Sequence, residues 1–177
     1  KKNQDFMIKV FAELVKSKPQ ARLVLIGQGD DEAMLKALAQ DLGVADKVIF
    51  AGVQKNVSEW LSAFDLFFFP SKFEGLPLAP FESQANGLPV LASKEWVPKE
   101  IAVTPNVHFA SLQKSSKDWA DLIERLSEEA ERLPEQEIAH YFQNSGYDIR
   151  FAAKDLQGEL LKLLDLRERE KRDDGRN

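Results

Sequence analysis

Two hydrophobic spacings alternate along this chain, one typical of amphipathic helices and one of short buried strands. Helical spacing, with its flanking start and stop residues, predicts helices over residues 5–17, 30–42, 56–64, 78–86, a segment carrying Trp119 and Leu126, and 148–166. Short apolar runs between them predict strands over residues 22–26, 47–51, 65–69, 88–92 and 107–109.

The predicted strands are apolar on both faces, which is typical of a parallel sheet covered by helices on both sides. Right-handed crossovers between such strands give a doubly wound α/β fold. No repeat or flexible linker divides the chain, so we expect a single domain over residues 1–166. Residues 167–177 mix both charges without apolar anchors and are interpreted as a solvated C-terminal tail. The mixed charges of residues 128–137 are interpreted as an exposed helix.

Composition excludes several classes of function. The net charge of −5 argues against nonspecific binding of nucleic acid, which needs a basic surface. The chain has no cysteine, so disulfides and thiolate metal sites are excluded. Neither a membrane span nor a signal peptide is recognisable, and a cytoplasmic location is expected. A small anionic ligand remains compatible with these features because it senses only its local pocket.

In an open parallel sheet, ligands bind outside the carboxyl ends of the strands. The predicted elements place four loops at that edge, namely residues 27–30, 52–56, 71–77 and 93–98. The first contains Gly27 and Gly29 but has Glu32 where a dinucleotide-binding turn would have its third glycine. Three consecutive acids at the start of the following helix would repel a pyrophosphate, so a tight turn without phosphate contact is favoured there.

The third loop has different chemistry. A helix begins near Leu78 with no acid in its first turn, so its free N–H groups can receive a phosphate. Gly75 allows a ligand to approach closely, and Glu74 and Glu82 can accept hydrogen bonds from two sets of sugar hydroxyls. Two glutamates eight residues apart also occur by chance, and Glu82 as a plain surface residue stays open at this point.

These segments resemble glycosyltransferase family 4, whose members have the two-domain GT-B fold. The Glu-x7-Glu signature matches Glu74 and Glu82, and residues 70–78 and 87–93 resemble the sequences around it. Residues 23–29 and 48–53 are similar to the two preceding strand-and-loop motifs, in the same order. Later stretches are similar to bacterial enzymes that build capsular or extracellular polysaccharide. The resemblance identifies the chain as the C-terminal, nucleotide-sugar-binding half of such a protein.

The resemblance implies a role for each matching position. Glu82 would hold the ribose hydroxyls, Glu74 would contact the transferred sugar, and Lys2 resembles the lysine that neutralises the diphosphate. The remaining donor-binding positions are Gly75, Leu76, Pro77 and Leu78 along the sugar and phosphate, Gly52 and Val53 at the base, and Gly27 and Gly29 beneath the donor. No metal and no cofactor are expected, since the nucleotide-sugar is a substrate.

Several features of the family pattern are missing. The arginine that binds the pyrophosphate, the first strand of the domain and the acceptor domain would all precede Lys1. Pro80 removes one possible N–H donor, and residues 94–97 replace a loop that is often rich in glycine. The resemblance therefore implies that this chain alone binds a donor weakly and transfers nothing.

The function expected from the resemblance is donor binding in a retaining hexosyltransferase of bacterial polysaccharide synthesis. The expected donor is a UDP-sugar, and the expected partners are the acceptor domain and a lipid-linked acceptor at the inner membrane surface. Alternatives are a GT-B epimerase or phosphorylase, or a non-catalytic nucleotide-binding module, while a nicotinamide-dependent dehydrogenase ranks last. His108 is interpreted as a packed strand residue and His140 as solvated, so hydrolase chemistry has little support.

Overall fold

Helices and parallel strands alternate along the chain, as the sequence predicts. The computed structural model describes the backbone of residues 2–174 and the side chains of residues 2–167. The strands are β1 (Leu23–Ile26), β2 (Val48–Gly52), β3 (Phe67–Phe69), β4 (Val90–Ser93) and β5 (Val107–Ala110). The helices are α1 (Gln4–Ser17), α2 (Glu32–Asp41), α3 (Val57–Ser62), α4 (Leu78–Ala85), α5 (Ser116–Glu129), α6 (Glu135–Asn144) and α7 (Ile149–Asp174).

The strands pair in two parallel ladders. One ladder joins β1 to β2, with Leu23 opposite Val48. The other has the order β3-β4-β5, with Val90 between Phe67 and Val107. Among the described residues no strand pairing joins the two ladders. The parallel α/β class is confirmed.

Both ladders contribute to one hydrophobic core with α1, α2 and α5. Trp119 of α5 is fully buried, and its ring meets Phe6 edge-on and Phe68 at a tilt. Aromatic side chains bury large apolar areas, and truncation of such a residue costs about 3–5 kcal/mol. The other fully or almost fully buried members include Ile8, Val10, Leu25, Ala39, Val48 and Leu91. This core fixes the strands whose carboxyl ends carry the candidate site.

The chain forms two compact units, Lys1–Ile138 and Ala139–Asn177. The first unit contains both ladders and helices α1 to α5. In the second unit α7 carries exposed apolar side chains, among them Leu156 and Leu160. Helix α7 continues past residue 166 to Asp174, so the backbone is helical across the predicted start of the tail. The single domain over residues 1–166 stays a prediction.

The segment before α6 corrects one sequence interpretation. Residues 128–137 were expected to be one exposed helix, but α5 ends at Glu129 and α6 begins at Glu135. Pro134 lies directly before α6, and its carbonyl accepts from the N–H groups of Glu137 and Ile138. Proline lacks an N–H and fits only the start of a helix, which explains the interruption.

Two side chains fasten the C-terminal end of helix α4. The fully buried Gln84 amide donates to the carbonyl oxygen of Ile101 at 2.8 Å and accepts from the backbone N–H of Thr104 at 2.9 Å. The Arg132 guanidinium donates to the carbonyl oxygens of Asn86 at 2.5 Å and Phe64 at 2.7 Å. Buried polar groups that are fully hydrogen-bonded define one arrangement, so α4 is held firmly relative to the sheet.

The chain enters α1 beside the carboxyl end of β3. Asn3 is buried in the left-handed region with φ of 62°, and its Nδ2 donates to the Pro70 carbonyl oxygen at 3.0 Å. Asparagine tolerates that backbone region better than most residues. A strand leading into α1 would therefore end next to β3. The first strand expected from the family resemblance stays a prediction.

Candidate functional site

The loops at the carboxyl ends of the strands converge, as the topology predicts. The Gly27 N–H donates to the Gly52 carbonyl oxygen at 2.7 Å, which joins the loops after β1 and β2. The Ser93 hydroxyl donates to the Ser71 carbonyl oxygen at 2.5 Å, which joins the loops after β4 and β3. A cavity of about 110 Å³ lies between the starts of α1 and α2 and the loop after β3. Its lining residues are Lys2, Asn3, Gln4, Asp5, Asp31, Met34, Leu35 and Lys72.

Lys2 and Glu74, which belong to separate sequence motifs and were both predicted as site residues, form an ion pair. Lys2 Nζ lies 2.7 Å from Glu74 Oε1, and the Ser71 hydroxyl donates to the same oxygen at 2.6 Å. The Glu74 side chain is only 10% exposed, whereas that of Lys2 is 58% exposed. Lys2 Nζ also lies 5.1 Å from the centre of the Phe69 ring, within the range of a cation–π contact. The fold therefore brings together two residues that are 72 positions apart in sequence.

The start of α4 is open to a ligand. Pro77 precedes the helix in an extended conformation, no side chain caps it, and its first turn contains no acidic residue. The N–H groups of Leu78 and Ala79 accordingly have no partner among the described residues, while Pro80 has none to offer. Free N–H groups and the positive end of the helix dipole favour an anion at this position.

Glu82 lies one turn into α4. Its side chain is exposed, and within the described part of the chain its carboxylate has neither a hydrogen bond nor an ion pair. Glu82 is therefore free to accept hydrogen bonds from a ligand, unlike Glu74, which is already engaged. Its ribose-binding role stays a prediction.

The glycine turn after β1 differs from the start of α4. Gly27 has a φ of 116° and Gly52 a φ of 64°, so both occupy backbone regions that favour glycine. The Gly27 N–H already donates to the Gly52 carbonyl oxygen, so it is not available to bind a phosphate. Glu32 is in the first turn of α2 and pairs with Lys36 at 2.6 Å. These contacts agree with the prediction of a tight turn there.

Several apolar side chains are exposed at this edge of the sheet. Val53, Leu76 and Leu78 were predicted to line the donor, and each is more than half exposed. Phe73 and Trp96 are also exposed and lie in the loops after β3 and β4. Sequence reasoning did not single these two out, because an isolated aromatic residue in a loop carries no periodic signal.

Lys72 is a third residue that the sequence analysis missed. It is exposed, lines the cavity beside Lys2 and has no ion pair among the described side chains. A lone lysine in a loop is common at protein surfaces. Only the fold, which places it near the start of α1, gives it a possible role.

The loop after β4 is tied to the loop after β5 rather than left free for a ligand. Glu95 accepts from the Leu112 N–H at 3.1 Å. The Ser111 hydroxyl, more than the backbone N–H, lowers the pKa of the Glu95 carboxyl below its usual range. Glu95 therefore serves to fix this loop, which replaces the glycine-rich segment seen in the family pattern.

The two histidines do not form a catalytic group. His108 lies half-buried in β5, where burial, and to a lesser extent the charge of Arg125, lower the pKa of its imidazole. His140 is exposed, lies 3.2 Å from the Asn144 side chain and meets the ring of Tyr141 edge-on. Across the described residues there is no group of three or more His, Cys, Asp or Glu side chains arranged to hold a metal ion. None of the described helices is both long and apolar enough to cross a membrane.

Comparison with known proteins identifies a family. The model of the family described as "Glycosyl transferases group 1" matches residues 1–148. The putative glycosyltransferase EpsF of Bacillus subtilis is 32% identical over 150 residues, which are 84% of this chain and 38% of that protein. The Vi polysaccharide biosynthesis protein VipC/TviE of Salmonella typhi is 34% identical over 92 residues, covering 52% of this chain and 16% of that protein. The chain thus spans well under half the length of these relatives.

Solved structures share the fold at lower sequence identity. WaaG, a glycosyltransferase of lipopolysaccharide biosynthesis, superposes with a TM-score of 0.67 and 24% identity over 83% of this chain and 39% of its own. HepE of Anabaena, solved in complex with UDP, superposes with a TM-score of 0.72 and 19% identity over 91% of this chain and 45% of its own. The chain has the Rossmann-like architecture of these GT-B domains.

Proposed function

Because this chain belongs to the glycosyl transferases group 1 family, we propose that it is the donor-binding part of a retaining glycosyltransferase. The donor is a nucleotide-sugar, with uridine diphosphate as the preferred carrier. The protein acts in the synthesis of a bacterial capsular or extracellular polysaccharide, within family 4 of the glycosyltransferases. An acceptor domain outside this chain, and a lipid-linked acceptor at the cytoplasmic membrane face, complete the reaction.

One observation carries this proposal: an uncapped helix start lies between a buried and an exposed glutamate. The N–H groups at the start of α4 receive the diphosphate, with Glu74 on the loop side and Glu82 on the helix. Glu82 then holds the ribose hydroxyls and Glu74 contacts the transferred sugar. Gly75, Leu76 and Pro77 line the site between the two glutamates, and Val53 lies next to the nucleotide's base.

The proposed chemistry needs positive charge more than a nucleophile. As the bond between the sugar and the diphosphate breaks, positive charge develops on the sugar and negative charge on the leaving group. Preorganised N–H groups and cations that face the leaving group stabilise this state, and one such donor contributes about 3–4 kcal/mol. Lys2 and the start of α4 supply part of that stabilisation in this chain. No metal ion is required in this scheme.

The names of similar proteins support the polysaccharide and nucleotide parts of the proposal. EpsF and VipC/TviE are described as a glycosyltransferase and a polysaccharide biosynthesis protein. HepE was solved with UDP and also with UDP and glucose, and the pneumococcal transferase GtfA with UDP and GlcNAc. The corresponding ligand for this chain is a UDP-sugar.

Thermal shifts with a ligand panel test the proposal. We expect UDP to raise the melting temperature of this chain, with a smaller shift for GDP and none for NAD or glucose 1-phosphate. NAD carries a second nucleoside where the donor has its sugar, and glucose 1-phosphate has neither a nucleoside nor a diphosphate. EDTA should leave the UDP shift unchanged. Stabilisation by NAD alone, or sugar transfer by this chain without a further domain, would contradict the proposal.

A further inference from the structure

The ion pair between Lys2 and Glu74 joins two groups that would each bind a different part of the donor. We propose that this pair is the donor-free state of the site and that a diphosphate opens it, so that the phosphate and sugar subsites are coupled through one contact. The inference rests on the function proposed above, in which Lys2 binds the diphosphate and Glu74 the sugar. Its consequence is selectivity: a ligand with a single phosphate leaves Glu74 engaged.

The geometry shows that the two partners are not equally free to move. Glu74 is held by two donors on one oxygen, the Ser71 hydroxyl at 2.6 Å and Lys2 Nζ at 2.7 Å. Its side chain is mostly buried, while that of Lys2 is exposed and lies at the end of a flexible stem. When the pair opens, Ser71 keeps the carboxylate in place, and Lys2 is the partner that turns away.

A diphosphate outcompetes Glu74 for Lys2 because it carries more charge. The other charged groups around the cavity nearly balance one another. Lys72 and Asp31 carry opposite charges and have no ion pairs among the described residues, while the Asp5 carboxylate is paired with Lys9 at 3.4 Å. The ligand's own charge therefore decides whether Lys2 leaves Glu74. An attraction of this kind between opposite charges is strong where the groups are partly shielded from water.

Opening the pair changes what Glu74 can bind. While Lys2 and Ser71 share Oε1, a sugar hydroxyl must compete with an ammonium group for that oxygen. Once Lys2 has moved to the diphosphate, the carboxylate recovers acceptor capacity for sugar hydroxyls. Two sites linked in this way influence each other reciprocally, so binding at one favours binding at the other.

Affinities for UDP and UMP test the coupling in four proteins: the parent chain, Glu74→Gln, Lys2→Met and the double variant. Glu74→Gln releases Lys2 without a sugar being present, so we expect UDP to bind about threefold to tenfold more tightly. Lys2→Met should weaken the binding of UDP about tenfold. UMP affinity should change less than about twofold in either variant. In the Lys2→Met background, Glu74→Gln should no longer improve UDP binding.

The matched control is Glu13→Gln, which removes the same charge and frees Lys16 from an ion pair of 2.6 Å. That pair lies near the other end of α1, about 16 Å from the site at 1.5 Å per residue, so UDP affinity should stay within twofold. If Glu74→Gln improves UDP binding equally with and without Lys2, simple repulsion explains the effect and the coupling is wrong. If UDP binds but Glu74→Gln leaves its affinity unchanged, the coupling is also wrong. If no nucleoside diphosphate binds the parent chain, the proposed function itself fails.

Discussion

The starts of helices α2 and α4 converge on the same edge of the fold but offer a ligand opposite chemistry. Helix α2 follows a glycine turn and begins with Asp30, Asp31 and Glu32 nearby, while α4 follows Pro77 and has no acid in its first turn. The turn before α2 looks more like a nucleotide-binding motif, yet its acids already complement the helix dipole. The free N–H groups are at α4.

The difference shows that glycines alone do not identify a phosphate site. In the turn after β1 the Gly27 N–H is bonded to Gly52, so the glycine serves the backbone conformation. At α4 no side chain caps the helix and its donors remain available. The charge and capping of the first helical turn therefore distinguish the two positions better than their glycine content.

The largest expected effect comes from the acid that α4 carries one turn beyond its start. Glu82→Ala removes the acceptor for the ribose hydroxyls, and two charge-assisted hydrogen bonds of this kind contribute about 1.5–3 kcal/mol each. We expect UDP affinity to fall about 100-fold or more, measured by calorimetry. Glu129→Ala, at the end of α5, should leave UDP affinity unchanged and serves as the control. Unaltered UDP binding by Glu82→Ala would make Glu82 a plain surface residue.

A second variant gives α4 the charge of α2. Leu78→Asp places a carboxylate in the first turn, where it stabilises the helix by about 0.3–1 kcal/mol but repels a phosphate. We expect the melting temperature to stay level or rise while UDP affinity falls about tenfold. Leu78→Asn introduces a side chain of the same shape as aspartate but without its charge, so UDP affinity should fall much less. Equal losses in both variants would show that the side chain of Leu78, and not the helix start, matters.

A smaller effect is expected at Gly29. A Cβ built there meets no atom within 4 Å, and its φ does not require glycine, so Gly29→Ala should not lower the melting temperature. If the donor lies against this backbone, the added methyl group weakens UDP binding about threefold. Gly158→Ala in α7, where a Cβ also meets nothing, is the matched control. Undiminished UDP affinity would place the donor away from the glycine turn.

The smallest effect tests the reverse exchange. Asp30→Asn, Asp31→Asn and Glu32→Gln together remove the acids from the start of α2. We expect UDP affinity to change less than about twofold and the stoichiometry to remain one, because the Gly27 N–H is still bonded to Gly52. If calorimetry showed a second UDP bound per chain, the acidic residues alone would be what prevents a phosphate from binding at the start of α2.

Local sequence patterns predicted the elements better than the contacts among them. Helix α1 was expected over residues 5–17 and spans Gln4–Ser17, because its apolar face is regular. Strand β3 was expected over residues 65–69 and spans only Phe67–Phe69, because its ladder with β4 begins with Phe67 opposite Val90. Periodicity reports which residues are buried but not where a strand partner starts.

The candidate site shows the same limit. Glu74 and Gly75 lie in one loop and Leu78 begins the helix that follows it, so the sequence motif and the expected helix start sufficed to group them. The pairing of Lys2 with Glu74, and the position of Lys72 beside Lys2, depend on how α1 packs against the end of β3. Contacts of that kind join distant parts of the chain and leave no local signature.

A titration of the isotope-labelled chain with UDP, followed by amide nuclear magnetic resonance, tests the central claim most directly. Backbone amide signals report a phosphate at a helix start because the N–H groups bind it themselves. We predict the largest shifts at Leu78 and Ala79, and much smaller shifts at both with uridine, which has no phosphate. Largest shifts at the start of α2, with those of α4 unmoved, would contradict the account.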